Sequence, residues 1–279
     1  MIFPPYSRVF PRWFSGSLAV LVGSAVTAWG QGPEAAKPAT VAPTALQRGA
    51  ALLQEALAMV FNEPAAGHCH LLDLEATAGP KGLRLLKAQV RFVHGAQGKF
   101  ALKCKLPVIG EAWVGQGSAP WMVAGGKTVL LGAKSPISNH NPLAFLDPQH
   151  FFKLQMAGGM GMTVAKTPDM LKKVLVIEDA KTAEGSHGLR ISTKKASQGD
   201  ALVSFQKDGR TPSEILVTLP KLLKTGAEAK ITIHEWRVNE VAQEAWFAPP
   251  ADLPTHQVEQ ADLYHVFSAI LDLAMERAE

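Results

Sequence analysis

The sequence predicts an α+β domain built on antiparallel strands, and three observations point there. Apolar and polar residues alternate at strand period: Leu72, Leu74 and Ala76 against Asp73 and Glu75; Ala88, Val90 and Phe92 against Gln89 and Arg91; Phe100, Leu102 and Cys104 against Ala101, Lys103 and Lys105. Such half-exposed runs suit antiparallel rather than parallel pairing, because parallel strands are buried on both faces. Ahead of them lies one apolar stripe at helical spacing, Leu46, Leu53, Leu57, Val60 and Phe61. The third observation is the closing stretch 229–253, A-K-I-T-I-H-E-W-R-V-N-E-V-A-Q-E-A-W-F-A-P-P-A-D-L, which ends a second series of alternating strands.

The N-terminus reads as a separate unit. Arg8 and Arg12 precede an apolar run at 18–26, and small residues follow at Thr27, Ala28 and Gly30, the pattern of a secretory signal peptide. Cleavage after Gly30 places Ala28 at the minus-three position; retention as an uncleaved anchor is the alternative. The run falls short of the roughly 20 apolar residues a membrane helix needs, so no transmembrane segment is expected once the signal is removed. The two arginines are not adjacent, which argues against twin-arginine export. No cysteine follows the run to carry a lipid. Residues 31–43, rich in Pro and Ala, form a flexible tether that cannot bury enough surface to order itself. The folded domain is expected over 44–254, followed by a C-terminal segment over 255–279. Its length suits one β-rich domain of roughly 200–250 residues. With 28 Lys and Arg against 24 Asp and Glu, a net charge of +4, the chain shows no basic stripe with interleaved aromatics, and nucleic-acid binding is not expected.

Within the domain, Thr44 and Gln47 form a capping box for the first helix. Turns are expected at 78–82 and 95–98, and a hairpin around Gly125 and Gly126 in W-M-V-A-G-G-K-T-V-L-L. Asn141-Pro142 and Asp147-Pro148 each pair a cap residue with proline at the first helical position, predicting two short helices, the second ending at Gly158–Gly159. Thr167-Pro168 could open a further helical turn, whereas 174–177 reads equally as a buried strand. Strands resume over 188–193, 201–206 and 213–219, with Asp208-Gly209 in a hairpin loop. Ile231 and Ile233 share one phase while Trp236 and Val238 fall on the other, which calls for a bulge near His234 or burial on both faces. Beyond Pro254, with Thr255 as cap, Leu263, Phe267, Ile270, Leu271 and Ala274 predict an amphipathic helix over 257–279. Cys69 and Cys104 would be free to pair in an oxidising compartment, but their strand phases argue against a bond.

Taken in order, the signal, the amphipathic helix, a β-meander, an N-P-L-A-F-L insertion, a second meander containing D-G-R-T-P-S-E-I, and the closing I-T-I-H-E-W-R-V-N with W-F-A-P-P resemble the LolA/LolB-like periplasmic lipoprotein carriers. The resemblance spans about 44–253 and is closest to secreted, uncharacterised branches of that superfamily. It implies a curved, incompletely closed antiparallel β-barrel wrapping around helices, with the helix at 257–279 an addition beyond the usual end. It also implies a periplasmic protein that binds a lipid or lipidated protein without catalysing a reaction. Arg91 is the position in the first meander that could correspond to the lid-locking arginine of those carriers.

Phe100, Leu102, Trp113, Trp121, Phe145, Phe151, Phe152, Leu154 and Met156 are the candidates to line an apolar cavity, the last four on a short helical lid. Taken singly, each could equally be packed interior, since a concave sheet must be filled. Trp236 and Trp246 read as anchors of the last strand and its exit. The alternative function is an envelope protein-interaction or sensor module that uses 257–279 to dock a partner.

Catalytic and cofactor signatures fail on their spacing. His234-Glu235 lacks the second histidine of a zinc protease, Val238 standing in its place, and Gly126-Lys127-Thr128 lacks the first P-loop glycine, where Trp121 stands. The glycines at 158, 159 and 161 make no dinucleotide fingerprint, and there is no nucleophile elbow. His68 and His70 share a strand face and could supply part of a metal site, but no third ligand is evident; two histidines at a solvent-exposed strand entry explain the same pattern. The reading therefore carries no metal, no cofactor and no catalytic residue, with a hydrolase of unrecognised site as a third class.

Overall fold

The computed structural model describes residues 43–80, 86–106, 110–124, 126–132, 159, 161–181, 187–194, 199–220, 226–259 and 262–263. The signal peptide, most of the tether, the two helices expected at 141–159, and most of the C-terminal helix lie outside the described residues.

Helix α1 (Ala45–Phe61) starts where the capping box requires. The Gln47 backbone N–H donates to Thr44 Oγ1 at 3.3 Å, and the Gln47 side-chain oxygen accepts from the Thr44 N–H at 2.8 Å. It ends at Asn62, whose backbone turns extended ahead of Pro64. The strands that follow form two meanders. The first comprises β1 (His68–Pro80), β2 (Leu86–Gly95), β3 (Phe100–Leu106), β4 (Gly110–Gln116), β5 (Pro120–Ala124) and β6 (Thr128–Gly132). A short helix α2 (Pro168–Val174) then leads into the second, made of β7 (Leu175–Lys181), β8 (His187–Thr193), β9 (Asp200–Phe205), β10 (Pro212–Leu219) and the long β11 (Ala227–Val241). The ambiguous stretch at 174–177 thus divides, helix through Val174 and strand from Leu175.

With β12 (Thr255–Val258), the twelve strands among the described residues form one sheet, ordered β12-β6-β5-β4-β3-β2-β1-β11-β10-β9-β8-β7, with β12 and β7 as its two ends. The two meanders are joined where β1 pairs antiparallel with β11. This is the incompletely closed antiparallel architecture, with a helix against one face, that the resemblance implies. The hairpins form as their residues dictate: Gly126 takes φ +68°, while the Asp208 carboxylate accepts from the N–H groups of Arg210 and Thr211 at 2.9 Å and closes the β9–β10 turn.

One expectation is corrected here, and another is narrowed to the first of its two alternatives. Residues 255–258 are not the start of a helix: β12 (Thr255–Val258) pairs in parallel with β6, so this segment belongs to the sheet. Among the described residues beyond β12, Asp262 and Leu263 are helical, and Leu263 is buried against the sheet: a Cβ on Gly132 would lie 2.8 Å from its Cδ1. The phase change in β11 is a bulge. Asp73 pairs with Glu235 and Leu74 with Ile233, leaving His234 as the extra residue and returning Trp236 to the face of Ile233. A second irregularity opposite His70 accommodates Asn239, whose φ is +58°.

The strand registers divide the sheet into two faces. On one, the helix face, Leu52 of α1 joins Leu189, Ile191, Val203, Ile215, Val217 and Ile233 in the main core. Helix α1 packs chiefly on β7, β1 and β8, and Trp236 Nε1 donates to Glu55 Oε2 at 3.2 Å, tying β11 to it. The other, outer face carries a charged strip over β1, β2 and β11, where Arg91 reaches Asp73 at 3.4 Å and Glu235 at 3.5 Å.

Candidate apolar binding sites on the two faces

Cross-strand registers place the helix-face side chains of the first meander. Leu72 lies opposite Phe92, Phe92 opposite Leu102, Leu102 opposite Val114, and Val114 opposite Met122. Phe100 and Val114 are buried, with Phe92 and Leu102 half-buried around them. Among the described residues this cluster draws its members from β2, β3 and β4 alone and none from a helix. It lies beside the strands on which α1 chiefly packs, so it is an apolar floor next to the main core.

Trp113 and Trp121 do not join that floor. Trp113 pairs with Lys103, one residue out of phase with Leu102, and Trp121 pairs with Gly115, so both rings stand on the outer face. There the chain returns after β11 through a 3-10 turn (Glu244–Phe247) and covers them. Phe247 is 1% exposed among Cys69, Leu71 and Val93, and its carbonyl accepts from Trp121 Nε1 at 2.8 Å. The turn comes this close because Gly117 has no side chain: a Cβ there would lie 2.8 Å from the Phe247 carbonyl oxygen. Phe247, rather than Trp246, is thus the deep anchor of the W-F-A-P-P segment, and Trp246 only packs against that cluster. Beside it opens a groove of about 450 Å³ lined by Arg91, Lys103, Trp113, Trp121, Trp246 and Pro249, among others. Lys103 Nζ sits 3.8 Å from the Trp113 ring centroid and bridges to Glu111 at 3.1 Å.

The nine cavity candidates therefore separate. Phe100 and Leu102 share the helix face, Trp113 and Trp121 share the outer groove, and Phe145, Phe151, Phe152, Leu154 and Met156 lie outside the described residues. Arg91, the position offered for a lid-locking arginine, stands on the outer face in its ion pairs with Asp73 and Glu235. Cys69 and Cys104 are free thiols on opposite faces, Cys69 in the Phe247 cluster and Cys104 in phase with Leu102. Burial pushes the Cys104 thiol up to about 12, which keeps it protonated and a poor nucleophile.

The histidines depart from expectation. His70 is 5% exposed rather than at an open strand entry, and its Nδ1 accepts the backbone N–H of Asn239 at 3.1 Å. Beside it His94, 1% exposed, contacts the Met59 carbonyl oxygen through Nδ1 at 3.1 Å. Their ring centroids are 5.9 Å apart at 68°. Desolvation holds His70 below the usual imidazole range and takes His94 down to about 4, so both rings are neutral at pH 7. The signal for His94 is the alternation of β2 itself: after Ala88, Val90 and Phe92 the next position in phase is His94.

No family model matches the chain, and no curated protein matches it. Solved structures do show a likeness at low identity. An uncharacterised conserved protein from Thermus thermophilus is 11% identical over 67% of this chain and 90% of its own, with a TM-score of 0.31. A chain of the Pseudomonas aeruginosa MucA/MucB complex is 9% identical over 75% of this chain, with a TM-score of 0.35, and this chain spans only 63% of its length. A LolA superfamily protein from Nitrosomonas europaea is 7% identical over 71% of this chain and 96% of its own, with a TM-score of 0.25. All three scores lie below 0.5, and the architecture described above rests on this chain's own strand pairing.

Proposed function

We propose that the protein is a secreted, periplasmic binding protein for an apolar ligand, a lipid or the acyl group of a lipidated protein, and that it acts without chemistry. The observation that carries this reading is the apolar surface of Phe92, Leu102 and Val114 on the helix face, which among the described residues is built from strands, beside the core on which α1 sits. An open sheet can present such a floor to a removable occupant. Each buried methylene of an acyl chain contributes on the order of 0.8 kcal/mol, so eight or so would supply the greater part of a micromolar affinity. The signal-like N-terminus supports the compartment.

Titration with a fluorescent fatty acid or lipopeptide at micromolar concentration tests it. Saturable binding is expected, weakened at least about tenfold by Leu102→Asp, which would place an uncompensated carboxylate on the floor. Trp113→Ala, on the other face, should leave it unchanged. Absence of saturable binding by the wild type would end the carrier reading.

A second reading has one observation in its favour. The Trp-lined outer groove falls within the roughly 300–1,000 Å³ of ordinary ligand sites, and it would suit a protein partner in the envelope. Binding lost in Trp113→Ala but kept in Leu102→Asp would move the site there. A partner docking through 257–279 would have to use surfaces other than Leu263, which is spent on the sheet.

A further inference from the structure

His70 and His94 sit where three parts of the fold meet. His94, on β2, contacts the carbonyl of Met59, which is among the last four of α1 and has no partner within the helix. A carbonyl accepts, so Nδ1 carries the hydrogen of this neutral ring, and the buried Nε2 has no partner among the described residues. His70, facing it across the β1–β2 pair, shows the opposite tautomer: its Nδ1 accepts from the Asn239 N–H at the second irregularity of β11, so its hydrogen sits on Nε2. His94 thus ties Met59, at the end of α1, to the sheet, and His70 beside it holds the irregular stretch of β11 at Asn239.

We propose that His70 and His94 form an acid-labile clamp, which holds the C-terminal end of α1 and its exit loop on the sheet while both rings are neutral and lets go when they take up protons. A proton added to His70 must go to Nδ1, where the Asn239 N–H already points, and that bond breaks. A proton added to His94 must go to Nε2, which has no acceptor among the described residues. Two charges would then lie within about 6 Å of each other in a low-dielectric site. The groups around them do little to offset this. For His94 burial opposes the charge and outweighs the bond to the Met59 carbonyl and, from the exit loop, Glu63, both of which favour it, while His70 on β1 opposes it further. Phe92 on β2, Phe100 on β3 and Asn239 on β11 carry no charge. The low proton affinity of both rings agrees with this geometry.

The test needs no ligand and so is independent of the carrier reading. Amide exchange at residues 57–62 and at Asn239, followed by NMR on the unliganded full chain from pH 7.5 to 4.5 and corrected for intrinsic rates, reports the opening. Protection in the wild type is expected to fall about tenfold per pH unit below 6.5, approaching roughly 100-fold at pH 4.5. The double variant His70→Gln/His94→Gln keeps neutral donors and acceptors without a titrating proton, and should lose less than about threefold over the same range. Equal wild-type protection at both ends, or an equal acid loss in the variant, overturns the clamp. Imidazole 15N shifts of the wild type give a reading even if that variant does not fold. His94 should remain the Nδ1–H tautomer down to pH 5, and titration of either ring near 6.5 would refute the proposal.

Discussion

His94 stays uncharged because its ring is desolvated, and that sets how global stability answers to pH. Its folded value, about 4, lies below the ordinary 6.5, so between these the unfolded chain binds more protons than the folded one. Its stabilising contribution is therefore fully present above pH 6.5, declines as pH drops, and is gone below about 4. The full difference is worth roughly 3 kcal/mol, and about 2 kcal/mol of it is lost by pH 5. Urea unfolding at pH 7.5 and 5 should show that loss in the wild type and a flatter profile in His94→Gln. The carboxylates act later. Glu75, Glu111 and Asp208 are held below their usual range, chiefly by bonds to Lys87, Lys103 and Thr211. What they contribute is present above the ordinary carboxylate range and disappears only as pH falls below it, so the first acid loss belongs to the histidines.

Among elements, those whose signal is local were the legible ones. The Thr44–Gln47 capping box, the glycine at the β5–β6 turn and the Asp208 turn each specify a conformation through residues within three positions, and all formed as expected. β12 was not legible. Thr255–Val258 is four residues long, mostly polar, and paired in parallel with a strand more than 120 positions earlier, so neither alternation nor a turn announces it. The helical stripe expected beyond it was right at one position that can be checked, Leu263, which is 2% exposed. That contact ties the C-terminal segment to the first meander near Gly132 and Pro120. Leu263→Ala should cost about 2–4 kcal/mol of unfolding free energy, the range for a buried leucine that leaves a cavity. A cost near zero by urea denaturation would instead make the segment a free arm, available to a partner.

At the scale of the molecule, alternation says which residues share a face within one strand but not how faces correspond between strands, because that depends on register. For this reason Phe100 and Leu102 share the helix face, while Trp113 and Trp121, named with them as cavity candidates, stand on the outer face: the β3–β4 register sets Leu102 opposite Val114 and Trp113 opposite Lys103. The same dependence governs the seam between the meanders. β1 and β11 pair from Pro80–Ala227 to His68–Val241, and the bulge at His234 lets Ile231 and Ile233 share a face with Trp236. His234 itself is exposed, so its side chain has little to contribute, whereas its backbone supplies the extra residue that shifts the phase. Deleting His234 would force one side of the seam to slip. Either Ile231 and Ile233 leave the main core or Trp236 loses Glu55, and a one-residue slip exchanges the two faces of the strand. His234→Ala should therefore stay within about 0.5 kcal/mol of the wild type, as surface substitutions do. The deletion should lower the urea midpoint far more, by the several kcal/mol that expelling two core side chains entails. Equal midpoints for the two variants would mean that the bulge can migrate along β11 at no cost, and that the join between the meanders does not depend on its position.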